Sequence, residues 1–389
     1  MTGCTIQTKH TDTEKVQILL DSIKSVYAPD TRIALWDISI DRSSDTIRII
    51  GELDKTESFD AIDAVIIKEY PHIENHISLL PEEDIDQIVT GLINNSVANL
   101  RSKPKHSSEI VTQALLGTPV RILKRKNDWY LIQTPNKYIA WVDAPAITKI
   151  GKQELSAYKQ SEKIIFNKQY GFSYTQADDK SQRVSDLVVG CILPIISTDK
   201  GFYQVQYPDK RVAWVKIAET IDANIIFNML LVEEALVSTA QKFVGIPYLW
   251  GGTSSKAIDC SGFTSTIYYM NGIILQRDAS QQTKYGKEIT STYECTDLLP
   301  GDLLFFGRKA SDSLPERVTH VAMYIGKTEF IHASGKVRIN SIDSTRDNFI
   351  AEYVPRFVRA SRVKGEIDGS GIENFAENKF YKEIINDKE

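Results

Sequence analysis

The sequence predicts an α+β protein of several domains, and three observations support this fold class. Its 389 residues exceed what one hydrophobic core comfortably organises, so two to four domains are expected. Residues from about 100 to 220 contain an internal repeat of short alternating strands. Further along, an amphipathic helix pattern that begins near Cys260 is followed by strand patterns that carry His320 and His332.

The amino-terminal residues 1–98 are expected to form a small α/β domain of unknown role. Apolar residues at helical and at alternating spacing predict its helices and strands. The expected elements are, in order, helix Val16–Val26, strands Arg32–Ile40 and Thr46–Leu53, and helices Ala61–Lys68 and Asp84–Asn94.

The internal repeat predicts two small β-barrels, over residues 99–152 and 153–222. The segment Trp129–Val142 parallels Phe202–Val215, and seven of the fourteen aligned positions are identical. Gly117 and Gly190 each lie twelve residues before their block. Short alternating strands joined by Asn, Asp and Lys turns are typical of small barrels.

The residues that carry chemistry are a cysteine at a helix start and two histidines on strands. Asp259 is a good helix N-cap and places Cys260 in the first turn, where the helix dipole favours thiolate over thiol. The sequence has six histidines, and only His320 and His332 follow residue 106. A histidine within reach can take the thiol proton and return it to a leaving amine. Together these residues predict a cysteine peptidase.

Ordered motifs in this region resemble those of the NlpC/p60 cysteine peptidases, papain-like enzymes that cut peptide stems of the bacterial cell wall. The motifs are Tyr248–Gly252, Asp259–Phe263, Pro300–Leu303, His320–Ala322 and His332. The resemblance covers about residues 228 to 360. It implies a papain-like catalytic domain at 223–363, preceded by two SH3-type barrels and the α/β domain, and followed by a polar tail at 364–389.

The resemblance also assigns the catalytic roles. Cys260 would be the nucleophile, His320 the general base and acid, and His332 the residue that orients His320. The backbone N–H of Cys260 and the hydroxyl of Tyr248 are candidate oxyanion donors. Gln276 stands where the family usually has proline, a departure that touches no catalytic residue.

The resemblance implies that the first barrel binds the free amine of an L-Ala residue through an acidic residue and a tyrosine. The matching positions are Glu109 and Tyr138. The second repeat has Arg211 where the first has Tyr138, so only the first barrel suits a cation. Ala140 replaces a glycine common in the family. The remaining candidate substrate-binding residues are Tyr248, Trp250, Asp259, Ser261 and Ser280.

The expected function is hydrolysis of the γ-D-glutamyl bond to diaminopimelate or lysine, in stem peptides that begin with free L-Ala. Such an enzyme would trim or recycle wall fragments rather than cut intact wall. Two alternatives remain at this stage. One is a related thiol acyltransferase or amidase, and the other is a catalytically silent wall-binding module.

Composition narrows the partners and cofactors. The chain is 42% hydrophobic and 25% charged, as is usual for soluble globular proteins. A net charge of −5 argues against nucleic acid, and no apolar stretch is long enough to span a membrane. A zinc site from Cys260, Cys295, His320 and His332 is conceivable, but the spacing fits no established pattern. We therefore expect no metal or organic cofactor.

The amino terminus resembles the end of a bacterial lipoprotein signal. Met1-Thr2-Gly3-Cys4 places a cysteine after small residues, and the polar segment Thr5–Thr13 would suit a tether beyond a lipid anchor. No charged and apolar regions precede Cys4 in the sequence. The cell envelope is the favoured location if Cys4 carries a lipid, and the cytoplasm is the alternative.

Overall fold

The computed structural model describes residues 3–43, 46–82, 89–293, 296–367, 369 and 371–385, with side chains described from residue 12 onward. The amino-terminal unit (residues 3–82) packs two helices against a small sheet of order β1-β2-β3. β1 and β2 are antiparallel, and β2 and β3 are parallel. The elements are α1 Gly3–Tyr27, β1 Trp36–Asp41, β2 Arg48–Leu53, α2 Thr56–Glu69 and β3 Glu74–Leu79.

Two expectations for this region are corrected. The segment Thr5–Thr13 lies within α1 rather than in an extended tether, and Cys4 lies in the same helix. The helix expected at Asp84–Asn94 is wrong where the chain is described, because Thr90–Ile93 is a strand; residues 83–88 lie outside the described ranges. Leu92 and Ile93 are fully buried, so tertiary pairing outweighs local helical preference.

Two β-units follow, and their sheets have the same strand order. The first β-unit (residues 90–149) has the order β10-β4-β7-β8-β9-β5-β6, and the second (residues 163–222) has β17-β11-β14-β15-β16-β12-β13. The first comprises β4 Thr90–Ile93, β5 Val97–Arg101, β6 Ile110–Leu115, β7 Pro119–Lys126, β8 Trp129–Gln133, β9 Ile139–Asp143 and β10 Ile147–Lys149. After α3 Lys152–Gln160, the second comprises β11 Lys163–Phe166, β12 Tyr170–Tyr174, β13 Arg183–Val188, β14 Ile192–Asp199, β15 Phe202–Gln206, β16 Val212–Lys216 and β17 Thr220–Asp222.

The first β-unit therefore begins before the expected boundary at residue 99. Its strands β4 and β5 are too short for a pattern to be read from sequence, yet β4 pairs with both β7 and β10. The paired glycines of the repeat lie where the two β-units meet. Gly117 has φ +79°, and a Cβ there would lie 2.2 Å from the carbonyl oxygen of Ile192. Close approach of the two backbones thus requires glycine.

The catalytic unit (residues 223–385) places helix α6 against a sheet of order β21-β26-β22-β23-β24-β25. Val321, Met323, Ile331 and Ala333 on β23 and β24 pack in one core with Cys260 and Phe263 of α6. Its helices are α4 Ala223–Phe227, α5 Glu233–Gln241, α6 Cys260–Tyr269, α7 Ala279–Gln282 and α8 Lys379–Lys382. Its strands are β18 Thr253–Ser254, β19 Ala257–Ile258, β20 Ile273–Leu275, β21 Lys287–Thr290, β22 Leu303–Arg308, β23 Arg317–Gly326, β24 Glu329–Ser334, β25 Lys336–Ser341, β26 Phe357–Arg362 and β27 Ile372–Asn374.

The expected polar tail at 364–389 is corrected by this arrangement. β27 pairs with β20, next to α6, and Phe375, Asn378 and Ile384 are fully buried. The polar composition of the segment concealed the few apolar residues that dock it. Residues 372–385 are therefore part of the catalytic unit.

Candidate active site

Cys260 begins helix α6 and lies against strand β23. Asp259 caps the helix, because its Oδ1 accepts a hydrogen bond of 2.7 Å from the Gly262 N–H. Cys260 is 7% exposed, and its sulfur lies near the backbone N–H of Val321. Val321 directly follows His320, so Cys260 packs beside the strand that carries this histidine.

His320, His332 and Asn340 form a row of hydrogen bonds. The Nε2 of His320 lies 2.8 Å from the Nδ1 of His332, and the Nε2 of His332 lies 3.0 Å from the Oδ1 of Asn340. The Nδ2 of Asn340 donates to the carbonyl of Asn348 over 2.8 Å, which fixes the orientation of the Asn340 amide. Sequence reasoning missed Asn340, which lies on β25 outside every motif.

The orientation of Asn340 determines the tautomers of both histidines. Its Oδ1 is an acceptor, so the Nε2 of neutral His332 carries the proton and its Nδ1 must accept. The Nε2 of His320 therefore donates to His332, which leaves the Nδ1 of His320 without a proton. That nitrogen is then available to take a proton from a thiol.

Burial keeps the thiol and both histidines neutral at rest. Burial, and then the negative charge of Asp259, raise the pKa of Cys260 to about 11. Burial also lowers the pKa of His332 to about 4, and burial together with His332 and two arginines lowers the pKa of His320 well below its ordinary value. The helix dipole favours the thiolate, but desolvation outweighs it in this structure. The proton must move to His320 during attack.

Asp259 is the centre of a buried ion pair with Arg277. The two guanidinium Nη atoms lie 2.5 and 3.1 Å from the carboxylate oxygens, and Arg277 is 1% exposed. Asp259 also accepts bonds from the N–H groups of Gly251 and Gly262 and from the hydroxyl of Ser261. Arg277 in turn donates to Ser261 and, in the first β-unit, to Thr112. The predicted amine-binding pair Asp259 and Ser261 is thus already occupied by Arg277.

The predicted amine-binding residues of the first β-unit lie in two separate contacts. The exposed carboxylate of Glu109 accepts a hydrogen bond of 2.6 Å from the Nε1 of Trp250, which is 63% exposed. Tyr138 is buried near Asp278, and burial and the charge of Asp278 raise its pKa. The structure therefore brings Glu109 to Trp250 and Tyr138 to the start of α7.

Tyr248 lies beside the nucleophile. Burial, and then the nearby Cys260 and Asp259, raise the pKa of its hydroxyl. Its backbone N–H donates to the carbonyl of Gly335 over 2.9 Å, which ties it to the turn between β24 and β25. The position fits the expected proximity of Tyr248 to the reacting atoms.

The amino-terminal unit reaches the edge of the site through Arg32. The Nη1 of Arg32 lies 2.7 Å from Asp278 and 3.0 Å from the hydroxyl of Ser280, a predicted substrate-binding residue. Its other donors bind Asp30, and its carbonyl accepts from the Ile139 N–H, next to Tyr138. The unit to which sequence reasoning assigned no role is therefore part of the wall around Asp278 and Tyr138.

The carboxy-terminal segment braces the turn that presents Tyr138. Lys137, in a left-handed conformation at φ +68°, pairs with Glu373 over 2.7 Å. The buried Asn378 donates to the carbonyl of Pro135 and to Glu373. This bracing accounts for the buried polar residues of a segment that was expected to be a tail.

The described side chains form no group of three or more His, Cys, Asp or Glu that could hold a metal ion. Cys295, one member of the zinc alternative, lies outside the described ranges. Among helices α1 to α8 as described, none has the length and apolar content that a membrane span requires.

Comparison with known proteins identifies relatives over most of the chain. The sequence model of the NlpC/P60 family matches residues 245–359, and that of the bacterial SH3 domain matches residues 96–148. The chain is 30% identical, over 258 residues, to a γ-D-glutamyl-L-lysine dipeptidyl-peptidase of Bacillus cereus, covering 64% of this chain and 74% of that protein. It is 29% identical, over 263 residues, to dipeptidyl-peptidase 6 of Lysinibacillus sphaericus, covering 64% and 89%. A crystal structure of an NlpC/P60 family protein from Bacillus cereus superposes with a TM-score of 0.59 at 26% identity, covering 70% of this chain and 99% of that one.

Proposed function

The chain belongs to the NlpC/P60 family and is a cysteine peptidase, and on this premise we propose that it hydrolyses the γ-D-glutamyl bond to the diamino acid of peptidoglycan stem peptides. The proposed substrates begin with free L-Ala-γ-D-Glu and continue with diaminopimelate or lysine. The name of the Bacillus cereus relative agrees with this substrate class. The proposed role is turnover or recycling of wall fragments.

The observation that carries the proposal is the row of hydrogen bonds through His320, His332 and Asn340, with Cys260 packed beside strand β23. The thiol lies near Val321, and the hydrogen bonds from His320 to His332 and from His332 to Asn340 leave a basic nitrogen on His320. In the proposed reaction, His320 takes the thiol proton as sulfur attacks the carbonyl carbon of D-Glu. The C–N bond breaks, and His320 returns that proton to the leaving amine.

Hydrolysis of the acyl-enzyme completes the proposed cycle. Water gives one proton to His320 and adds as hydroxide to the thioester carbonyl, and the thiolate leaves and recovers that proton. The developing oxyanion would be stabilised by the Cys260 N–H and the Tyr248 hydroxyl. Tyr248 is suited to donate, because its raised pKa keeps the hydroxyl protonated.

The amine end of the substrate is proposed to lie at Glu109. Tyr138, Asp259 and Ser261 are the other residues of the implied amine site, but Asp259 is neutralised by Arg277, and Tyr138 is buried near Asp278. Glu109 is exposed and uses only one oxygen, on Trp250. An ammonium group would therefore find its counter-charge on Glu109, with Trp250 beside it; Ser280 would contact the substrate further along.

The proposal is tested by incubating the protein with L-Ala-γ-D-Glu-L-Lys and with the diaminopimelate peptide, followed by mass spectrometry. We expect release of L-Ala-D-Glu and the free diamino acid by the wild type, and no release by Cys260→Ala or Cys260→Ser. Transfer of the acyl group to an added amine without hydrolysis would indicate an acyltransferase. Binding without any cleavage would indicate a silent wall-binding module.

The cell envelope is the proposed site of action, with Cys4 as the attachment point of a lipid. In bacterial cells that express the protein from its native gene, the protein should be in the membrane fraction, and Cys4→Ala should release it. Equal distribution of the two forms would favour the cytoplasmic alternative.

A further inference from the structure

Two arginines beside the paired histidines have no acidic partner. Arg338 and Arg356 make no ion pair with any carboxylate in the part of the chain that the structure describes, and each donates only one hydrogen bond, to a hydroxyl. Nearby arginines of the same sheet are neutralised: Arg359 contacts Glu288 and Glu316, and Arg362 contacts Asp302. Arg308 and Arg317 of the same sheet also have no acidic partner among the described residues, but both are exposed; Arg338 and Arg356 differ from them by lying beside the paired histidines.

Arg338 lies directly opposite His332. The two residues are paired across β24 and β25, so their side chains project from the same face of the sheet. The Nη2 of Arg338 donates to Ser334 over 3.3 Å, but its buried Nε has no hydrogen-bond partner. A buried guanidinium nitrogen without an acceptor costs free energy. The guanidinium of Arg338 therefore has donors that no acceptor among the described residues satisfies.

Arg356, which directly precedes β26, lies close to the same histidines. Its guanidinium lies 5.4 Å from the centre of the Tyr353 ring, and it donates to the hydroxyl of Thr319, the residue before His320. The Tyr353 ring lies 5.4 Å from the ring of His320 and 5.3 Å from that of His332. Both arginines also act on the pKa of His320, so both charges are close to it.

The position of the two arginines corresponds to the leaving side of the reaction. The turn that contains Ser334 and Gly335 is bonded to the backbone of Tyr248, which lies beside Cys260. His320 must deliver its proton to the leaving amine, so the residue that bears this amine lies next to His320. In the proposed substrate that residue is the diamino acid, whose carboxylates would face unpaired cations.

We propose that Arg338 and Arg356 form a binding site for a carboxylate of the leaving diamino acid. This inference rests on the proposed function and adds a determinant of specificity to it. Guanidinium groups bind carboxylates through strong, charge-assisted and often bidentate hydrogen bonds. Two sources of the carboxylate exist: the α-carboxylate of a terminal diamino acid, and the additional side-chain carboxylate that diaminopimelate carries and lysine lacks.

Three peptides separate these sources: L-Ala-γ-D-Glu-L-Lys, the same peptide as its carboxy-terminal amide, and L-Ala-γ-D-Glu-diaminopimelate with its α-carboxylate amidated. kcat/KM is measured for the wild type, Arg338→Gln, Arg356→Gln and the charge-retaining Arg338→Lys. Loss of one charge-assisted contact corresponds to about tenfold to a hundredfold in affinity. We expect the wild type to cut at least one carboxylate-bearing peptide better than the lysine amide by that factor.

The variants should lose this preference, mainly through KM, and Arg338→Lys should keep part of it. Arg359→Gln is the matched control, because Arg359 follows Arg356 by three residues but already contacts two glutamates; its preference should equal that of the wild type. Equal cutting of all three peptides by the wild type would overturn the inference. The inference would also be overturned if the arginine variants changed only the pH dependence of kcat/KM and not the preference among the peptides. That result would show that the arginines act only on His320.

A binding measurement keeps the inference testable apart from turnover. Titration calorimetry of the three peptides uses Cys260→Ala, alone and combined with Arg338→Gln. If Cys260→Ala binds the carboxylate-bearing peptides better than the lysine amide, and Arg338→Gln abolishes this difference, the site is supported. This holds even if the wild type cuts none of the peptides, because absence of cleavage would reject only the proposed function. Equal binding of all three peptides to Cys260→Ala rejects the site even if cleavage is observed.

Discussion

The Oδ1 of Asn340 lies 3.0 Å from the Nε2 of His332, and this contact determines which nitrogen of His320 can act as a base. The amide is oriented by the Asn348 carbonyl, so its oxygen faces the imidazole. Because the Asn340 oxygen is an acceptor, the Nε2 of His332 carries a proton and its Nδ1 does not. The Nε2 of His320, 2.8 Å from that Nδ1, must then donate to it, so the tautomer of His320 is fixed as well. His332 is fully buried, so water cannot replace a hydrogen-bond partner that this residue loses.

Removal of Asn340 should therefore lower kcat without changing the catalytic residues themselves. In Asn340→Ala, His332 can adopt the other tautomer, so a fraction of His320 rings would carry a proton on Nδ1 and could not accept one. We expect kcat to fall about tenfold or more, since loss of tautomer control in catalytic triads has large effects, with little change in KM. Steady-state kinetics on the stem tripeptide checks this.

Asn348→Ala is the matched control for Asn340→Ala. It removes an asparagine side chain that contacts Glu329 but keeps the backbone carbonyl that orients Asn340. Its kcat should stay close to that of the wild type. Equal losses in both variants would show that the effect comes from loop packing rather than from the tautomers.

The buried neutral histidines should make the protein less stable in acid. The pKa of His332 is lowered from 6.5 to about 4 in the folded state, so below pH 6.5 the unfolded chain binds a proton that the folded chain does not. Stability from this group is complete above pH 6.5 and is lost as the pH falls towards 4, by about 3 kcal/mol in all. Chemical denaturation between pH 7 and pH 4 measures the free energy of unfolding.

The variant His332→Gln isolates this contribution. It has no proton to bind at this site, so its free energy of unfolding should fall less steeply with decreasing pH than that of the wild type. Parallel curves would contradict the assignment of a buried neutral His332. For the same reason, activity of the wild type should persist below pH 6.5, because the pKa of His320 is also lowered.

The sequence predicted the chemistry of the site better than its surroundings, and the reason is physical. Cys260, His320 and His332 belong to motifs in which residue type and local structure carry the signal. Asn340 and Arg277 act through hydrogen bonds across strands or between units, and no local pattern reveals such partners. Strand β4 was expected to be helical, because its pairing with β7 and β10 is non-local.

Replacement of Arg277 should destabilise the protein strongly. Arg277→Met would leave the carboxylate of Asp259 buried without its counter-charge, which typically costs about 3–5 kcal/mol. The double variant Asp259→Asn/Arg277→Met should recover part of this loss, because an amide can still accept the bond from Gly262. A double-mutant cycle by chemical denaturation measures the coupling. Additive losses would show that the ion pair carries no special stabilisation.

Arg32→Ala should weaken substrate binding, although Arg32 lies in the amino-terminal unit. Arg32 donates to Asp278, which lies near the hydroxyl of Tyr138, and to Ser280. We expect a higher KM with kcat nearly unchanged. Arg48→Ala is the control, because Arg48 pairs with Asp41 and Glu74 within the same unit. If Arg48→Ala raised KM equally, the effect would reflect the stability of the unit rather than its contact with the site.

Glu109→Gln should remove the preference for peptides with a free amino terminus. Glu109 is exposed, and its one bond to Trp250 leaves the second carboxylate oxygen for an ammonium group. The neighbouring Asp259 cannot substitute for it, because Arg277 neutralises that carboxylate.

The wild type should therefore cut free L-Ala-γ-D-Glu-L-Lys faster than its N-acetylated form, by about tenfold or more for one charge-assisted contact. In Glu109→Gln the rate on the free peptide should fall towards that on the acetylated one. Asp128→Asn, which removes another exposed acid of the first β-unit, should behave as the wild type. Equal rates of the wild type on the two peptides would reject Glu109 as the amine-binding residue and would leave the proposed cleavage untouched, since the row through His320, His332 and Asn340 does not depend on Glu109.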